Sequence, residues 1–495
     1  MQRIFKIPFM LIGREEQQET LMSLLETDKS EFVAVYGRRR VGKTYLIRET
    51  YRDQFVFQHT GVQKGDKKTQ LKEFGNSLEL AGMRKVPKLK DWSDAFFALA
   101  KYIQTLRAGK KVIFIDELPW METPKSNLVS ALDHFWNSWA SARNDIVLVV
   151  CGSATSWIIK KIVKNYGGLH NRLTRQIHLK PFSLSDCEHF ATAMHLGMSR
   201  RNILETYMVL GGVPYYWQCM QREYSWAQNI DRLFFHDDGE LRGEFSVLYA
   251  SLFRNPNPYI DIITALGTKK AGMTREEIRI TSHQDKGGKL TEMLEELEQC
   301  DFIRSFSSIG KRKKETMYQL VDNFTLFYFK FLAGQRINEQ NYWSMVISKP
   351  EYNAWSGVAF ERVCFQHVEQ IKRALGISGI ICNVYSWVYR VEKKAEAKEL
   401  ENGEVRDRGV QIDMLLDRDD NVINLCEMKF TKSPFEITAA YDEELARKAS
   451  VFMRETGTRK GVSTVMITSF GLVKNGYANG IQRQVTMEDL FKNVE

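Results

Sequence analysis

The octapeptide Gly37-Arg38-Arg39-Arg40-Val41-Gly42-Lys43-Thr44 is a complete match to the pattern G-x-x-x-x-G-K-[ST]. No other feature constrains the fold as much, because this loop needs a strand before it and a helix after it. Both flanks comply. Glu31 to Tyr36 is an apolar, β-prone run, and the residues from Lys43 to Thr50 read as a helix. Gly37 and Gly42 let the backbone turn so that consecutive N–H groups, those of Arg40 and Val41 among them, face phosphate oxygens. Lys43 can reach the β- and γ-phosphates, and the Thr44 hydroxyl can hold Mg²⁺. The N-terminus of the following helix favours the anion. The segment is therefore expected to cradle ATP with Mg²⁺.

Downstream, Lys111-Val112-Ile113-Phe114-Ile115-Asp116-Glu117 is a hydrophobic strand that ends in two carboxylates. In a P-loop fold this is the Walker B position. Asp116 would hold Mg²⁺ and Glu117 would polarise the attacking water. A third strand, Asp145 to Val150, leads into Cys151-Gly152-Ser153, which makes Ser153 the candidate sensor of the γ-phosphate. Helical patterns over Glu15–Thr27, Thr69–Leu80, Trp92–Leu106 and Leu128–Ala140 separate these strands. Their alternation implies a parallel sheet with helices on both faces. After the third strand, Arg172 and Arg175 are candidates for a cation that reaches the γ-phosphate, with plain surface arginines the alternative. Acting in trans, they would require an oligomer.

This arrangement resembles the AAA+/STAND-related ATPases known as the archaeal ATPase family. The resemblance rests on Leu11-Ile12-Gly13-Arg14-Glu15-Glu16-Gln17, on the arginine-rich P-loop, on the Walker B strand and on the turn Gly211-Gly212-Val213-Pro214. Gln17 stands where the family box ends in Glu. The resemblance implies an ASCE-type core over residues 1–184 and a helical lid over 185–255. It also implies that Pro214 lies near the nucleotide.

Beyond an Asn-Pro-Asn-Pro break at 255–258, three helical patterns precede a hairpin tipped by Gly310-Lys311-Arg312-Lys313-Lys314. Over residues 256–335 this reads as a winged helix whose basic tip suits DNA phosphates. The aromatic stretch Tyr318 to Phe329 is expected to pack a domain join.

Residues 340–495 carry a second constellation. A helix over Ala354–Leu375 holds Glu361. A strand over Ile380–Tyr389 follows, then a charged loop from Glu392 to Arg408. Asp413 sits in a strand, and Glu427-Met428-Lys429 ends another; a helix over Ile437–Arg454 and a strand over Gly461–Thr468 close the segment. Two positions apart on a strand, Glu427 and Lys429 share one face. The α-β-β-β-α-β order with Asp413, Glu427 and Lys429 resembles the PD-(D/E)XK nuclease superfamily, with Ile412 where that family has Pro. The resemblance implies that Glu361, Asp413 and Glu427 hold Mg²⁺ and that Lys429 helps activate water for phosphodiester attack. The fold class is thus α/β multidomain: a P-loop parallel sheet with helical lid, a winged helix and a restriction-endonuclease-like domain.

Composition narrows the setting. At 495 residues the chain has room for about three domains. Its net charge of +9 suits a polyanion such as DNA. Seven scattered cysteines without a C-x-x-C pair argue against zinc and for a reduced, cytoplasmic setting. No apolar run is long enough for a membrane span, and the N-terminus lacks a signal-peptide pattern. Three function classes follow: a DNA-acting ATPase coupled to a metal-dependent nuclease, a STAND-type nucleotide-switched regulator whose C-terminal domain is a platform, or an ATPase serving a protein or membrane partner.

Overall fold

The computed structural model describes residues 11–164, 171–253, 255–306, 316–334, 339–389 and 409–493. Two compact units emerge. The first comprises Met1–Phe182, Val213–Tyr216 and Ser246–Pro256; the second comprises Ser183–Gly212, Trp217–Phe245 and Asn257–Glu495.

The first unit is built on five parallel strands: β1 (Glu31–Tyr36), β2 (Phe55–Thr60), β3 (Lys111–Asp116), β4 (Ile146–Gly152) and β5 (Arg175–His178). Their spatial order is β2-β3-β4-β1-β5. A parallel sheet covered on both faces must be apolar on both, and the central strands obey. Along β1, Phe32 and Ala34 enter one core while Val33 and Val35 enter the other. The first core holds Phe74, Trp92, Phe96 and Phe135, and the second holds Leu21, Leu46, Ile47 and Tyr51. Helices Lys67–Leu80 and Trp92–Gln104 begin where the side chains of Asp66 and Asp91 accept backbone N–H bonds, so local capping fixes their starts. The expected helix over 128–140 is α-helical to Phe135 and widens to a π-turn over Trp136–Ala140.

The second unit opens with helices Leu184–Ala193, Arg200–Leu210 and Trp226–Phe234. Helices Asn257–Gly267, Arg275–Thr281 and Gly288–Gln299 then share a small antiparallel sheet of β6 (Met273–Thr274), β7 (Ile303–Phe306) and β8 (Met317–Leu320), in the order β6-β8-β7. The basic tip expected at 310–314 lies outside the described residues, as does the whole charged stretch from Glu392 to Arg408. Aromatic residues of helix Asn323–Phe331 pack against aromatics further along the same unit. Phe327 and Phe331 meet Trp343 and Trp355 at centroid distances of 5.0 to 6.1 Å.

The last five strands form one mixed sheet: β9 (Cys382–Tyr389), β10 (Val410–Arg418), β11 (Val422–Lys429), β12 (Gly461–Thr468) and β13 (Arg483–Thr486). The order is β13-β12-β11-β10-β9, antiparallel from β9 to β11 and parallel from β11 to β13. Helix Ala439–Thr456 makes the crossover between the parallel neighbours β11 and β12. The helix expected over 354–375 divides at His367 into Pro350–Gln366 and Val368–Ala374. At the division the His367 ring is buried: Nδ1 donates to Val363 O at 2.8 Å and Nε2 accepts from Leu184 N at 3.0 Å. Acceptance at Nε2 requires the neutral ring. No helix among the described residues is long and apolar enough to cross a membrane.

Burial lowers the His367 pKa to about 4. The unfolded chain therefore takes up this proton before the folded one does. The neutral ring's contribution is complete above the unfolded value of 6.5 and is lost as pH falls toward 4. Between pH 7 and pH 5 the loss is about 2 kcal/mol. Urea unfolding of wild type and His367→Gln at the two pH values should show this loss in wild type only.

Candidate functional site

The C-terminal ends of β1, β3 and β4 lie side by side, and each delivers one part of a site. Sheet order sets their arrangement, because β4 lies between β1 and β3. The loop after β1 needs its glycines. Gly37 has φ +150, and a Cβ there would stand 2.2 Å from Leu179 O at the end of β5. Gly42, with φ +94, precedes helix Lys43–Tyr51 and has nothing within 4 Å of a built Cβ. Open space on that side leaves the backbone N–H groups approachable. Arg40 also takes a positive φ of 69, and its guanidinium stacks 4.1 Å above the Tyr215 ring. Pro214, which starts helix Pro214–Gln218, is thereby placed beside the loop.

Lys43 is buried, and its Nζ donates to Gly37 O at 2.8 Å and Arg38 O at 3.0 Å. Thr44 Oγ1 donates to Asp116 Oδ2 at 2.9 Å. Asp116 Oδ1 accepts from Glu117 N at 2.9 Å and from the Cys151 thiol at 2.7 Å. Burial pushes that thiol's pKa well up, with Asp116 adding to the shift, so Cys151 stays a donor. Glu117 has a left-handed backbone, φ 47, and its carboxylate accepts from Ser153 N at 3.0 Å and from Ser153 Oγ at 2.9 Å. Burial raises its pKa; nearby Lys43 opposes the shift.

The donor set fits a triphosphate with a divalent cation. The Thr44 hydroxyl and the Asp116 carboxylate are paired hard oxygen ligands, Lys43 brings a cation into the loop, and Glu117 is a buried carboxylate beside them. The expected arginines are placed differently. Arg172 and Arg175 are both exposed. Arg175 stands opposite Val33 in the register of β1 and β5, whereas Tyr36, next to the loop, stands opposite His178. The two arginines are thus set back along the sheet from the phosphate end. Arg14, which the sequence reading placed in a motif without a role, is buried at the loop. It donates to Lys180 O at 2.7 Å and Val41 O at 3.3 Å, and so ties the loop to the chain after β5. Its motif position was the available signal; its partners, 27 and 166 residues away, were not.

The C-terminal constellation also assembles, with a different charge balance. Asp413 lies where the β9–β10 register shifts between Ile412 and Leu415, and its Oδ2 accepts from Met428 N at 3.1 Å. Glu427 is buried, and both its oxygens accept from Lys448 Nζ, at 2.7 and 2.8 Å. Glu361, also buried, pairs with Lys270 Nζ at 2.5 Å. Burial raises the pKa of Glu361 and of Glu427, and the charge of Asp413 raises both further. Lys429 Nζ lies 5.1 Å from the centre of the Tyr441 ring.

Glu361 and Glu427 are therefore each electrostatic neighbours of Asp413. Even so, no group of three His, Cys, Asp or Glu among the described residues is spaced to hold a metal ion. The arrangement does not fit the Mg²⁺ site that the nuclease resemblance implies, because lysines neutralise two of its carboxylates. Neither Lys270 nor Lys448 was foreseen. Lys448 had a weak signal, lying seven positions after Tyr441 on one helix; Lys270 had none.

Residues 11–218 match the family model described as an ATPase domain predominantly from Archaea. An uncharacterized protein of Methanocaldococcus jannaschii is 25% identical over 423 residues, covering 81% of this chain and 90% of that protein. Among solved structures, a Walker-type ATPase of Pyrococcus abyssi is similar with a TM-score of 0.47 and 18% identity, over 64% of this chain and 95% of its own. The ORC2 protein of Aeropyrum pernix, in its ADPNP-ADP complexes, is similar with a TM-score of 0.42 and 14% identity, over 74% and 97%. An ATPase domain thus occupies the N-terminal part of the chain.

Alanine at Gly37 would force the loop away from Leu179. We expect Gly37→Ala to weaken binding of a fluorescent ATP analogue at least about tenfold, measured by equilibrium titration.

Proposed function

We propose that the chain binds and hydrolyses ATP at the loop between β1 and helix Lys43–Tyr51, and that it acts on nucleic acid. The contact of Thr44 with Asp116 carries the first part, since it puts the two oxygen ligands of a Mg²⁺–nucleotide in one place. Main-chain donors from Gly37 to Gly42, with Lys43, hold the phosphates. Bound Mg²⁺ would neutralise charge on the phosphates, with Thr44 and Asp116 as its holders. Glu117 orients the attacking water and takes its proton. Ser153, hydrogen-bonded to Glu117, reports the γ-phosphate end to β4. Being exposed and set back along the sheet, Arg172 and Arg175 suit action on a neighbouring copy better than on their own nucleotide. Net charge and the winged-helix reading of residues 256–335 support a nucleic-acid partner.

For the C-terminal sheet, the geometry favours the platform reading over a metal-dependent nuclease. Lysines on Glu361 and Glu427 are the observation that supports this reading. They already supply the positive charge that a divalent cation would bring.

Two outcomes check these roles. Glu117→Gln keeps the shape of the side chain and removes the base. It should retain ATP binding and slow hydrolysis by about 10²- to 10⁴-fold in a phosphate-release assay. A wild-type rate would remove Glu117 from the mechanism. In calorimetry of the full chain, Mn²⁺ should produce no binding heat that depends on Asp413. Tight binding in wild type, abolished by Asp413→Ala, would restore the nuclease reading.

A further inference from the structure

A groove of about 670 Å³ lies in the first unit, between helix Lys67–Leu80 and the stretch at 86–90 that follows it. Leu71, Val86 and Leu89 make its lining partly apolar. The two walls are in contact: a Cβ on Gly75 would stand 3.7 Å from the side chains of both Val86 and Leu89. The rims carry an excess of positive charge, five lysines against the carboxylates of Asp66 and Glu79. Lys67, Lys68 and Lys72 come from the helix, and Lys88 and Lys90 from the stretch. Helical spacing sets Lys68 and Lys72 on one face. Lys88 and Lys90 flank Leu89 on the stretch and both line the groove. Four of the five are exposed, and Lys67 is partly so.

The charge here is out of proportion to the segment's length. Positions 64–90 carry eight cations and three carboxylates, in a chain whose whole excess is +9. One of the three, Asp66, is engaged as the helix cap and accepts from Thr69 N at 2.8 Å. None of the five groove lysines forms an ion pair with a carboxylate among the described residues. Arg52 with Glu49, by contrast, is a surface cation that does.

The groove is also tied to the nucleotide end of the sheet. Gln70, fully buried on the same helix, donates to Val62 O at 2.6 Å and to Trp120 O at 3.0 Å. Trp120 N in turn donates to Glu117 O at 2.9 Å, and Gly61 N donates to Asp116 O at 3.0 Å. The helix that carries three of the lysines is therefore hydrogen-bonded to both segments that follow β2 and β3.

We propose that this groove binds the phosphate backbone of nucleic acid. A linear polyanion with one charge per unit matches lysines on two facing rims. Ammonium groups read charge without the bidentate geometry that arginine would impose, so contact would be independent of sequence. A concave site with charge on both walls suits a strand that enters it better than a flat lipid surface. The inference rests on the reading that the chain acts on nucleic acid, and it gives that reading an address.

The test is fluorescence anisotropy of the full chain with labelled single-stranded and duplex oligonucleotides over a salt series. The combined variant Lys68→Glu, Lys72→Glu, Lys88→Glu and Lys90→Glu should bind at least about tenfold more weakly than wild type, with a shallower dependence on salt. Alanine at the same four positions should weaken binding in the same direction and by less, which excludes repulsion as the whole effect. Four reversals elsewhere, at Arg107, Lys125, Lys432 and Lys474, should leave affinity within about twofold. These positions are exposed, so circular dichroism should be unchanged. Equal losses in the two charge-reversed variants would overturn the groove and leave the broader reading standing. Wild type that binds no oligonucleotide even at low salt would overturn both. Poly-glutamate that competes as well as DNA, charge for charge, would reassign the groove to an acidic polypeptide and overturn the nucleic-acid inference.

Discussion

The hydrogen bond from Thr44 to Asp116 joins segments seventy-two residues apart, and the first unit is organised so that it can form. Parallel strands bring their C-terminal ends to one edge of the sheet. The order β3-β4-β1 then fixes which ends are neighbours. Asp116 is held from three sides, by Thr44, Cys151 and its own neighbour's N–H. Glu117 must then turn through a left-handed conformation to face Ser153. Such strain is sustained only where the surroundings hold it in place, and it clusters at working sites. The two cores on either side of β1 supply that rigidity.

The C-terminal sheet shows the opposite use of buried charge. Carboxylates taken out of water must be paired or protonated. Glu361 and Glu427 are paired, each with a lysine from another element. The result is a balanced cluster, in which Asp413 is repelled by its acidic neighbours and held by a backbone N–H. Spacing of Asp413, Glu427 and Lys429 along the chain is the same whether the cluster holds a metal or holds lysines. Charge from elsewhere decides between the two.

Much of the first unit was legible because its signals are local. The glycine positions, the apolar strands and the capping aspartates each act within a few residues, so the strand, loop and helix over residues 31–51 and the strand ending at Asp116 could be placed from spacing. Helix ends were less legible. His367 divides an apparently continuous helix because its ring is held by Leu184 N, a partner 183 residues away. Lys448 and Lys270 were missed for the same reason. No periodicity marks a lysine that will be buried against a carboxylate on another element. Arg172 and Arg175 were read by their position after the sensor strand, but register with β1 sets where β5 begins.

By itself the sequence determined the loop that can take a triphosphate, the carboxylates that accompany it, and the strands of the two large sheets except β2, β5 and β13, which it did not show. Hydrogen-bonding patterns and side-chain periodicity act at short range, and short range is what a sequence displays. Tertiary structure alone decided that Arg14 ties the P-loop to the end of β5, that lysines neutralise the C-terminal carboxylates, and that unpaired lysines face one another across a groove. Each of these is an electrostatic or packing relation between distant segments. Its sign and strength depend on distance in space, which no spacing along the chain records.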